Sequence, residues 1–221
     1  TYGEAEFVPL HALLVAVGVP PDGVLVDLGS GSGRMVLCAA TVAPGLREVR
    51  GIELVPGLHT GAERAYVHLR ECADVAMAPV RLIQGDVLQH DWSDADLVLA
   101  TSLCFPYALQ MGLHEKTRLL KPGAKLVVMQ ADFDVPEPDD ASTDGDDDED
   151  GGGGGDDQRR TGAPDPDPPW LRPVEIRAEE PRHQVCMQMS FGEAKFYVYE
   201  RVANDKVESA GRPLRGVTEL T

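Results

Sequence analysis

The feature that most constrains this chain is an apolar run that leads into alternating glycines, from Val24 to Gly33. Val24 to Leu28 is rich in β-branched residues and is predicted to form a buried strand. The glycines that follow permit a sharp turn before a helix predicted from Arg34 to Ala43. This order is typical of a doubly wound α/β sheet, which binds its ligand in a crevice at the carboxyl end of the first strand. A glycine-rich turn that binds nothing is the alternative.

Residues around the glycines indicate which ligand the crevice would hold. Dinucleotide sites use G-x-G-x-x-G, whereas this loop is G-x-G-x-G and Arg34 occupies the third position. Asp27 directly precedes the loop, and its negative charge would repel a phosphate and attract a cation. Glu53 ends the next predicted strand and can accept hydrogen bonds from ribose hydroxyls. These residues favour S-adenosylmethionine, which carries a positive sulfonium and amino group and no phosphate.

Composition limits the partners of the chain. The length of 221 residues suits one substantial domain, and the net charge of -17 comes largely from 13 acids between residues 132 and 157. The remainder gives no basic footprint for nucleic acid, so a basic protein segment is the predicted macromolecular partner. The cysteines and histidines match no metal-ligand spacing, and we expect no metal. The sequence also predicts neither a membrane span nor a signal peptide.

Hydrophobic periodicity predicts strands that alternate with helices, as in parallel sheets with right-handed crossovers. The predicted helices cover residues 6–17, 34–43, 57–72 and 106–120, and the predicted strands cover 24–28, 49–54, 80–84, 96–100, 125–130, 183–190 and 194–202. The expected architecture is a doubly wound, Rossmann-like sheet of seven strands, closed by a hairpin whose last strand is antiparallel. We expect a single domain over residues 1–203, interrupted by a disordered acidic Gly/Pro-rich insertion over 134–169 and followed by a loose tail over 204–221.

Further candidate site residues follow the third and fourth predicted strands and the last one. Asp86 can accept a hydrogen bond from an adenine amino group, although an acid after a strand is often only a turn residue or a helix N-cap. Thr101, Ser102 and Phe105 close the fourth strand, where the transferable methyl group should lie, or they form an ordinary strand-to-helix turn. Phe105 and Tyr197 can wall an apolar channel that favours an uncharged lysine amine, or they are simply core aromatics.

With these residues identified, the chain resembles the class I S-adenosylmethionine-dependent methyltransferases, and within them the histone H3 lysine-79 methyltransferases, the disruptor-of-telomeric-silencing family. The resemblance covers about residues 1–133 and 183–202. The motifs that carry it are Tyr2-Gly3-Glu4, Asp27-Leu28-Gly29-Ser30-Gly31-Ser32-Gly33, Gly51-Ile52-Glu53, Gly85-Asp86, Leu120-Lys121-Pro122-Gly123-Ala124, and Ser190-Phe191-Gly192 with Tyr197. The family usually carries an asparagine pair at the end of the fourth strand, where this chain has Thr101 and Ser102.

The resemblance implies transfer of a methyl group from S-adenosylmethionine to a protein lysine, with a histone or nucleosome as substrate. The cofactor-binding residues that it implies are Tyr2, Glu4, Asp27, Gly29, Ser30, Gly31, Gly33, Glu53, Asp86 and Thr101. The methyl-transfer site would be shaped by Thr101, Ser102, Phe105 and Tyr197. A histone substrate implies a nuclear location, and any other substrate a cytoplasmic one. A non-histone protein lysine or a small molecule is the alternative acceptor, and a non-catalytic binding module is the alternative function.

Overall fold

A computed structural model describes residues 7–72, 74–101, 105–129, 170–173, 185–189 and 192–203. Four helices and eight strands lie in these ranges. The helices are α1 (Phe7–Val17), α2 (Arg34–Val42), α3 (Pro56–Cys72) and α4 (Tyr107–Thr117), and the strands are β1 (Val24–Leu28), β2 (Glu48–Glu53), β3 (Val80–Gln84), β4 (Leu97–Ala100), β5 (Lys125–Val128), β6 (Leu171–Pro173), β7 (Val185–Met189) and β8 (Gly192–Arg201). No helix in the described ranges is long and apolar enough to cross a membrane.

The strands form one twisted α/β sheet in the order β3-β2-β1-β4-β5-β8-β6, with β7 also paired to β8. The first five strands are parallel, and β8 runs antiparallel to β5. β7 pairs with the first half of β8, and β6 pairs with its end. The doubly wound class and the antiparallel last strand are therefore confirmed.

The strand count differs from the prediction, because β6 makes eight described strands instead of seven. β6 is only three residues long and ends in Pro173. A proline cannot donate to a ladder, and it is tolerated here because β6 lies at the edge of the sheet. So short a strand, placed directly after a Pro-rich stretch, has no detectable alternation in the sequence. The predicted insertion over 134–169 and the tail over 204–221 lie outside the described residues.

Apolar layers cover both faces of the central strands. Leu25, Leu97 and Leu99 pack on one face together with α1 and α2. Val26 and Val98 pack on the other face, with α4 and Trp92 among the residues that cover it. Strands buried on both faces are apolar without interruption, which explains why the sequence shows runs instead of alternation.

The register of the sheet brings the candidate site residues to one edge. Leu28 pairs with Ile52 on one side and with Ala100 on the other. Ala100 in turn pairs with Val128, and Val128 with Tyr197 of β8. Because parallel strands end at the same edge, the loops after β1, β2, β3 and β4 all open there.

Candidate cofactor and methyl-transfer site

The glycine loop after β1 has the conformation that its sequence predicts. Gly29, Gly31 and Gly33 have φ values of 77°, 54° and 79°, in the region that side chains rarely adopt. The backbone N–H groups of Gly29 and Ser30 both donate to the carbonyl of Ile52, at 2.9 and 3.1 Å. The loop is therefore fastened to the end of β2 before it turns into α2.

Two of these glycines are also required by close packing. A Cβ on Gly29 would lie 2.8 Å from Cζ of Phe105, and one on Gly33 would lie 2.8 Å from Cβ of Ala62 in α3. Phe105 thus lies directly against the loop, although it is 76 positions later in the chain. The structure brings a predicted methyl-transfer residue onto the predicted cofactor loop.

Glu53 closes the loop from the side of β2. One carboxylate oxygen accepts the N–H of Gly31 at 2.8 Å, and the other accepts the N–H of Val55 at 2.7 Å. The side chain is buried, with 6% exposed. A carboxylate has about four lone-pair sites, so each oxygen can still accept a hydroxyl of a bound ribose.

Asp27 is the least satisfied polar group of the described residues. It is 1% exposed, and its Oδ1 is the one buried side-chain oxygen or nitrogen in these residues that has no hydrogen-bond partner. Burial, together with the negative charge of Glu53, raises the pKa of Asp27 to about 7. A buried, unpartnered carboxylate of this kind is stabilised by a cation.

Asp86 follows β3 at the same edge and is half-buried. Its Oδ1 accepts the N–H of Leu88 at 2.8 Å, which makes it the first residue of a tight turn. The N–H of the preceding Gly85 donates to the carbonyl of Glu53 at 2.9 Å, so the turn is tied to the end of β2. The turn interpretation is therefore confirmed, and the adenine contact stays a prediction that this geometry permits, because a carboxylate has about four lone-pair sites.

The structure describes only some of the predicted methyl-transfer residues. Thr101 directly follows β4 and is half-buried. Tyr197 is 6% exposed and belongs to the apolar cluster against which Phe105 packs. Ser102, like Tyr2 and Glu4 of the predicted cofactor set, lies outside the described residues.

The packing role of Gly51 was not predicted from the sequence. A Cβ at this position would lie 2.7 Å from Oγ of Ser30 and 2.7 Å from Cγ2 of Val36. Only glycine lets β2 approach the glycine loop and α2 this closely. The available signal was a glycine inside an otherwise apolar strand, which often marks a close approach of two backbones.

A separate cavity of about 400 Å³ opens at the opposite, amino edge of the sheet, lined by Gly18, Val19, Pro20, Asp96, Gly123 and Lys125. Its charged groups are already engaged. The ammonium of Lys125 donates to the carbonyl of Val17 at the end of α1, and Asp96 pairs with Lys121 at 2.7 Å. These contacts connect elements of the fold, and none of the predicted site residues lines this cavity.

Comparison with known proteins identifies the family. A family model described as "Histone methylation protein DOT1" matches residues 1–138. Two curated relatives from Cryptococcus neoformans var. neoformans serotype D, strains JEC21 and B-3501A, are each named "Histone-lysine N-methyltransferase, H3 lysine-79 specific". Each is 33% identical over 141 residues, which covers 58% of this chain and 21% of the relative. The chain thus spans about a fifth of the length of the curated relatives that it matches.

Solved methyltransferase structures are similar to somewhat more than half of the chain. An RNA methyltransferase from Salinibacter ruber in complex with S-adenosyl-L-homocysteine is 29% identical with a TM-score of 0.45, covering 57% of this chain and 76% of that one. A SAM-dependent methyltransferase from Thiobacillus denitrificans in complex with S-adenosyl-L-homocysteine is 23% identical with a TM-score of 0.41, covering 55% of this chain and 47% of that one.

The family match over residues 1–138 is more than half of the 221-residue chain. It contains the glycine loop, Glu53 and Asp86, the residues from which the resemblance was first predicted. The chain belongs to the DOT1 family of histone methylation proteins, whose methyl donor is S-adenosylmethionine.

Proposed function

We propose that this chain carries the methyltransferase domain of a histone-lysine N-methyltransferase that acts on lysine 79 of histone H3. Family membership and the curated relatives support this proposal. The observation that carries it is the pair of buried carboxylates, Asp27 and Glu53, on either side of the glycine loop. A histone substrate further supports a nuclear location, which is part of the same proposal.

In this proposal the loop and its two carboxylates hold the cofactor. Asp27 lies under the loop, and its unpartnered Oδ1 would accept a hydrogen bond from the amino group of the methionine part. Glu53 would accept hydrogen bonds from the ribose hydroxyls. Asp86 would accept one from the adenine amino group. Gly31 has no side chain, which would let a ligand approach the loop backbone closely, while Phe105 packs against Gly29.

The bound cofactor would supply a methyl group on a sulfonium for in-line displacement by a lysine amine. The task of the protein is then to align the amine and to exclude water. Phe105, packed on Gly29, and Tyr197, buried beside β5, would provide an apolar wall. Such a wall favours the neutral amine, whose ordinary pKa is about 10.4, because desolvation disfavours the ammonium form. Thr101 and Ser102 would border the position of the transferred methyl group.

The first experiment titrates the chain with S-adenosylhomocysteine by calorimetry and compares it with Glu53→Ala. We expect the substitution to weaken binding about tenfold or more, because hydrogen bonds to a charged acceptor contribute roughly 1.5–3 kcal/mol. Glu63→Ala is the matched control, since Glu63 is an exposed acid on α3 whose partner is His59. A thermal melt of each variant establishes that the chain is folded at the temperature of the titration.

Two results of this titration would count against the proposal in different ways. If the parent chain does not bind, the cofactor site is wrong. If Glu53→Ala binds like the parent chain, the ribose contact is wrong. The acceptor is tested separately with nucleosomes, free histones and a panel of metabolites, and a histone H3 lysine-79 enzyme should prefer intact nucleosomes.

A second acceptor class is a lysine of a non-histone protein. The residues that favour it are Thr101 and Ser102, which stand where the family usually has two asparagines. Two hydroxyls in place of two amides change the polar groups that border the acceptor. Methylation of another basic protein at a higher rate than nucleosomes in the same panel would favour this second candidate.

A further inference from the structure

The segment that follows β3, residues 86–92, folds back over the end of its own strand, and we call it the adenine-side loop. Asp86 begins it with a turn to the N–H of Leu88. A Cβ at Gly85 would overlap the imidazole of His90, so the loop covers the glycine before Asp86 closely. The position of the Asp86 carboxylate therefore depends on how this loop is held.

A single lysine from a distant helix holds the adenine-side loop. The ammonium of Lys116, in α4, donates to the carbonyl of Leu88 at 2.7 Å and reaches that of Val87 at 3.4 Å. It also donates to the carbonyl of His90. An ammonium has three N–H donors, and here they converge on three carbonyls of one loop, those of Val87, Leu88 and His90. These loop residues precede Lys116 by 26 to 29 positions in the chain.

The surroundings of Lys116 match this clamping role. The ammonium lies 5.6 Å from the centre of the ring of Trp92, whose own Nε1 donates to the carbonyl of Val87 at 3.0 Å. The side chain is half-buried, and burial lowers the pKa of Lys116, while the charges of Asp91 and Asp86 act in the opposite direction. The lysine is thus held by carbonyl dipoles, an aromatic face and nearby acids together.

We propose that Lys116 is a positioning residue for cofactor recognition, which fixes the adenine-side loop so that the Asp86 carboxylate faces the adenine amino group. Lys116 contacts the loop backbone and acts on the cofactor only through Asp86. This inference rests on the proposed function, in which Asp86 accepts a hydrogen bond from that amino group.

The test measures discrimination between two ligands by calorimetry on the full chain. One is S-adenosylhomocysteine, and the other is its analogue whose purine carries hydrogen in place of the 6-amino group. We expect the parent chain to prefer the first by about tenfold, the change that one hydrogen bond to a carboxylate gives. Lys116→Met keeps an apolar stem over Trp92 and removes the donors. We expect it to bind both ligands with nearly equal affinity.

Two further variants separate positioning from general stability. Lys121→Met makes the same substitution at a lysine that pairs with Asp96 at the amino edge of the sheet, and it should keep the parent preference. Lys116→Arg retains N–H donors and should restore most of the preference. If Lys116→Met weakens both ligands equally and keeps their ratio, Lys116 has only a structural role and the inference is wrong.

The outcomes also separate this inference from the proposed function. If the parent chain binds both ligands equally, Asp86 does not recognise the amino group, and the inference fails while cofactor binding stands. If the parent chain binds neither ligand, the proposed cofactor site fails as well. If the parent chain discriminates and Lys116→Met does not, both stand.

Discussion

The two buried carboxylates at the crevice differ in how many hydrogen-bond donors the protein offers them. Glu53 has two backbone donors at 2.7 and 2.8 Å, whereas Oδ1 of the neighbouring Asp27 is buried without a donor among the described residues. Glu53 therefore fixes the conformation of the loop, whereas Asp27 keeps a carboxylate oxygen that has no hydrogen-bond donor. Asp27 is therefore the residue whose protonation should respond most to ligand binding.

We predict that cofactor affinity falls as the pH falls through about 7. The pKa of Asp27 is raised to about 7 by burial and by Glu53, so acid neutralises the group that would attract a cationic amino group. A bound cation favours the ionised carboxylate, so cofactor binding below this pH should release a proton. The affinity should therefore fall by up to about tenfold for each unit by which the pH is lowered. Calorimetry in buffers of different ionisation enthalpy measures the released proton. Asp27→Asn should remove this pH dependence, and a parent profile that is flat between pH 5 and 8 would contradict the assignment.

Asp27 should also make the free energy of unfolding depend on pH, in the direction opposite to that of a carboxylate in an ion pair. Its folded pKa lies above the unfolded value of 3.8, so the folded chain holds a proton that the unfolded chain releases between about pH 4 and 7. Stability from Asp27 is therefore present at low pH and is lost as the pH rises through this window, by an amount on the order of a few kcal/mol. The difference in urea stability between the parent chain and Asp27→Asn, measured at pH 5 and pH 8, isolates this contribution from other titrating groups.

Much of the site could be predicted at this scale, because its residues follow strand ends at characteristic spacings. Asp27, Glu53 and the glycines are predicted in this way, and the structure places them together at one edge of the sheet. Lys116 could not be found in this way. Its role depends on which carbonyls lie beneath one face of α4, and no local pattern in the sequence records that.

At the scale of elements, the aromatic residue directly before β6 connects this edge strand to α4, in addition to the pairing of β6 with β8. The ring of Trp170 stacks on His114 with centroids 4.7 Å apart, and the guanidinium of Arg118 lies 3.6 Å from its centre. Its Nε1 donates to Oγ1 of Thr117 at 3.0 Å. The carbonyl of Trp170 accepts the N–H of Val202, so the same residue also connects to the end of β8.

We predict that Trp170→Ala lowers the free energy of unfolding by about 3–5 kcal/mol, because it removes a large buried ring that packs on His114 and Arg118. Trp170→Phe keeps a ring in the stack and loses the hydrogen bond to Thr117, so its cost should be nearer 1 kcal/mol beyond the loss of ring area. Tyr107→Ala removes an aromatic ring that is 61% exposed, and it should change stability by no more than about 0.5 kcal/mol. Equal effects of Trp170→Ala and Tyr107→Ala in urea unfolding would show that the stack does not hold β6.

Several element boundaries could be predicted from the sequence. β1 and β3 have the predicted bounds, and α2 ends one residue earlier than predicted. α4 ends at Thr117 and not at residue 120, because the next residues turn towards the loop before β5. β6 escaped prediction because three residues with a terminal proline have too little pattern, and its pairing with β8 is a tertiary property.

On the scale of the whole molecule, every described residue of the candidate site lies outside the acidic stretch between β5 and β6. β8 lies between β5 and β6, so Met129 and Trp170 are about two strand spacings apart across the sheet, or roughly 10 Å. The registers of β5 and β6 on β8 also separate them by about six residues along the strands, or roughly 20 Å. A linker of about twelve residues spans up to about 40 Å and can therefore connect the two ends.

We predict that replacing residues 134–168 with a Gly/Ser linker of this length leaves S-adenosylhomocysteine affinity within about twofold, since loop length changes closure entropy only slowly. Stability should change by less than about 1 kcal/mol for the same reason. Calorimetry and urea unfolding of the shortened chain measure both quantities. Loss of cofactor binding in a folded, shortened chain would contradict the prediction and assign the acidic stretch to the site.

The strand order has a consequence for how such a protein can change over evolutionary time. β1 lies between β2, which with β3 leads to the predicted ribose and adenine contacts of the donor, and β4, which leads to Phe105 on the predicted acceptor side. The hydrogen bonds of the donor half run among the glycine loop, Glu53 and Gly85. Substitutions in β8, for example at Tyr197, can therefore alter the predicted acceptor side over evolutionary time without changing these hydrogen bonds of the donor half.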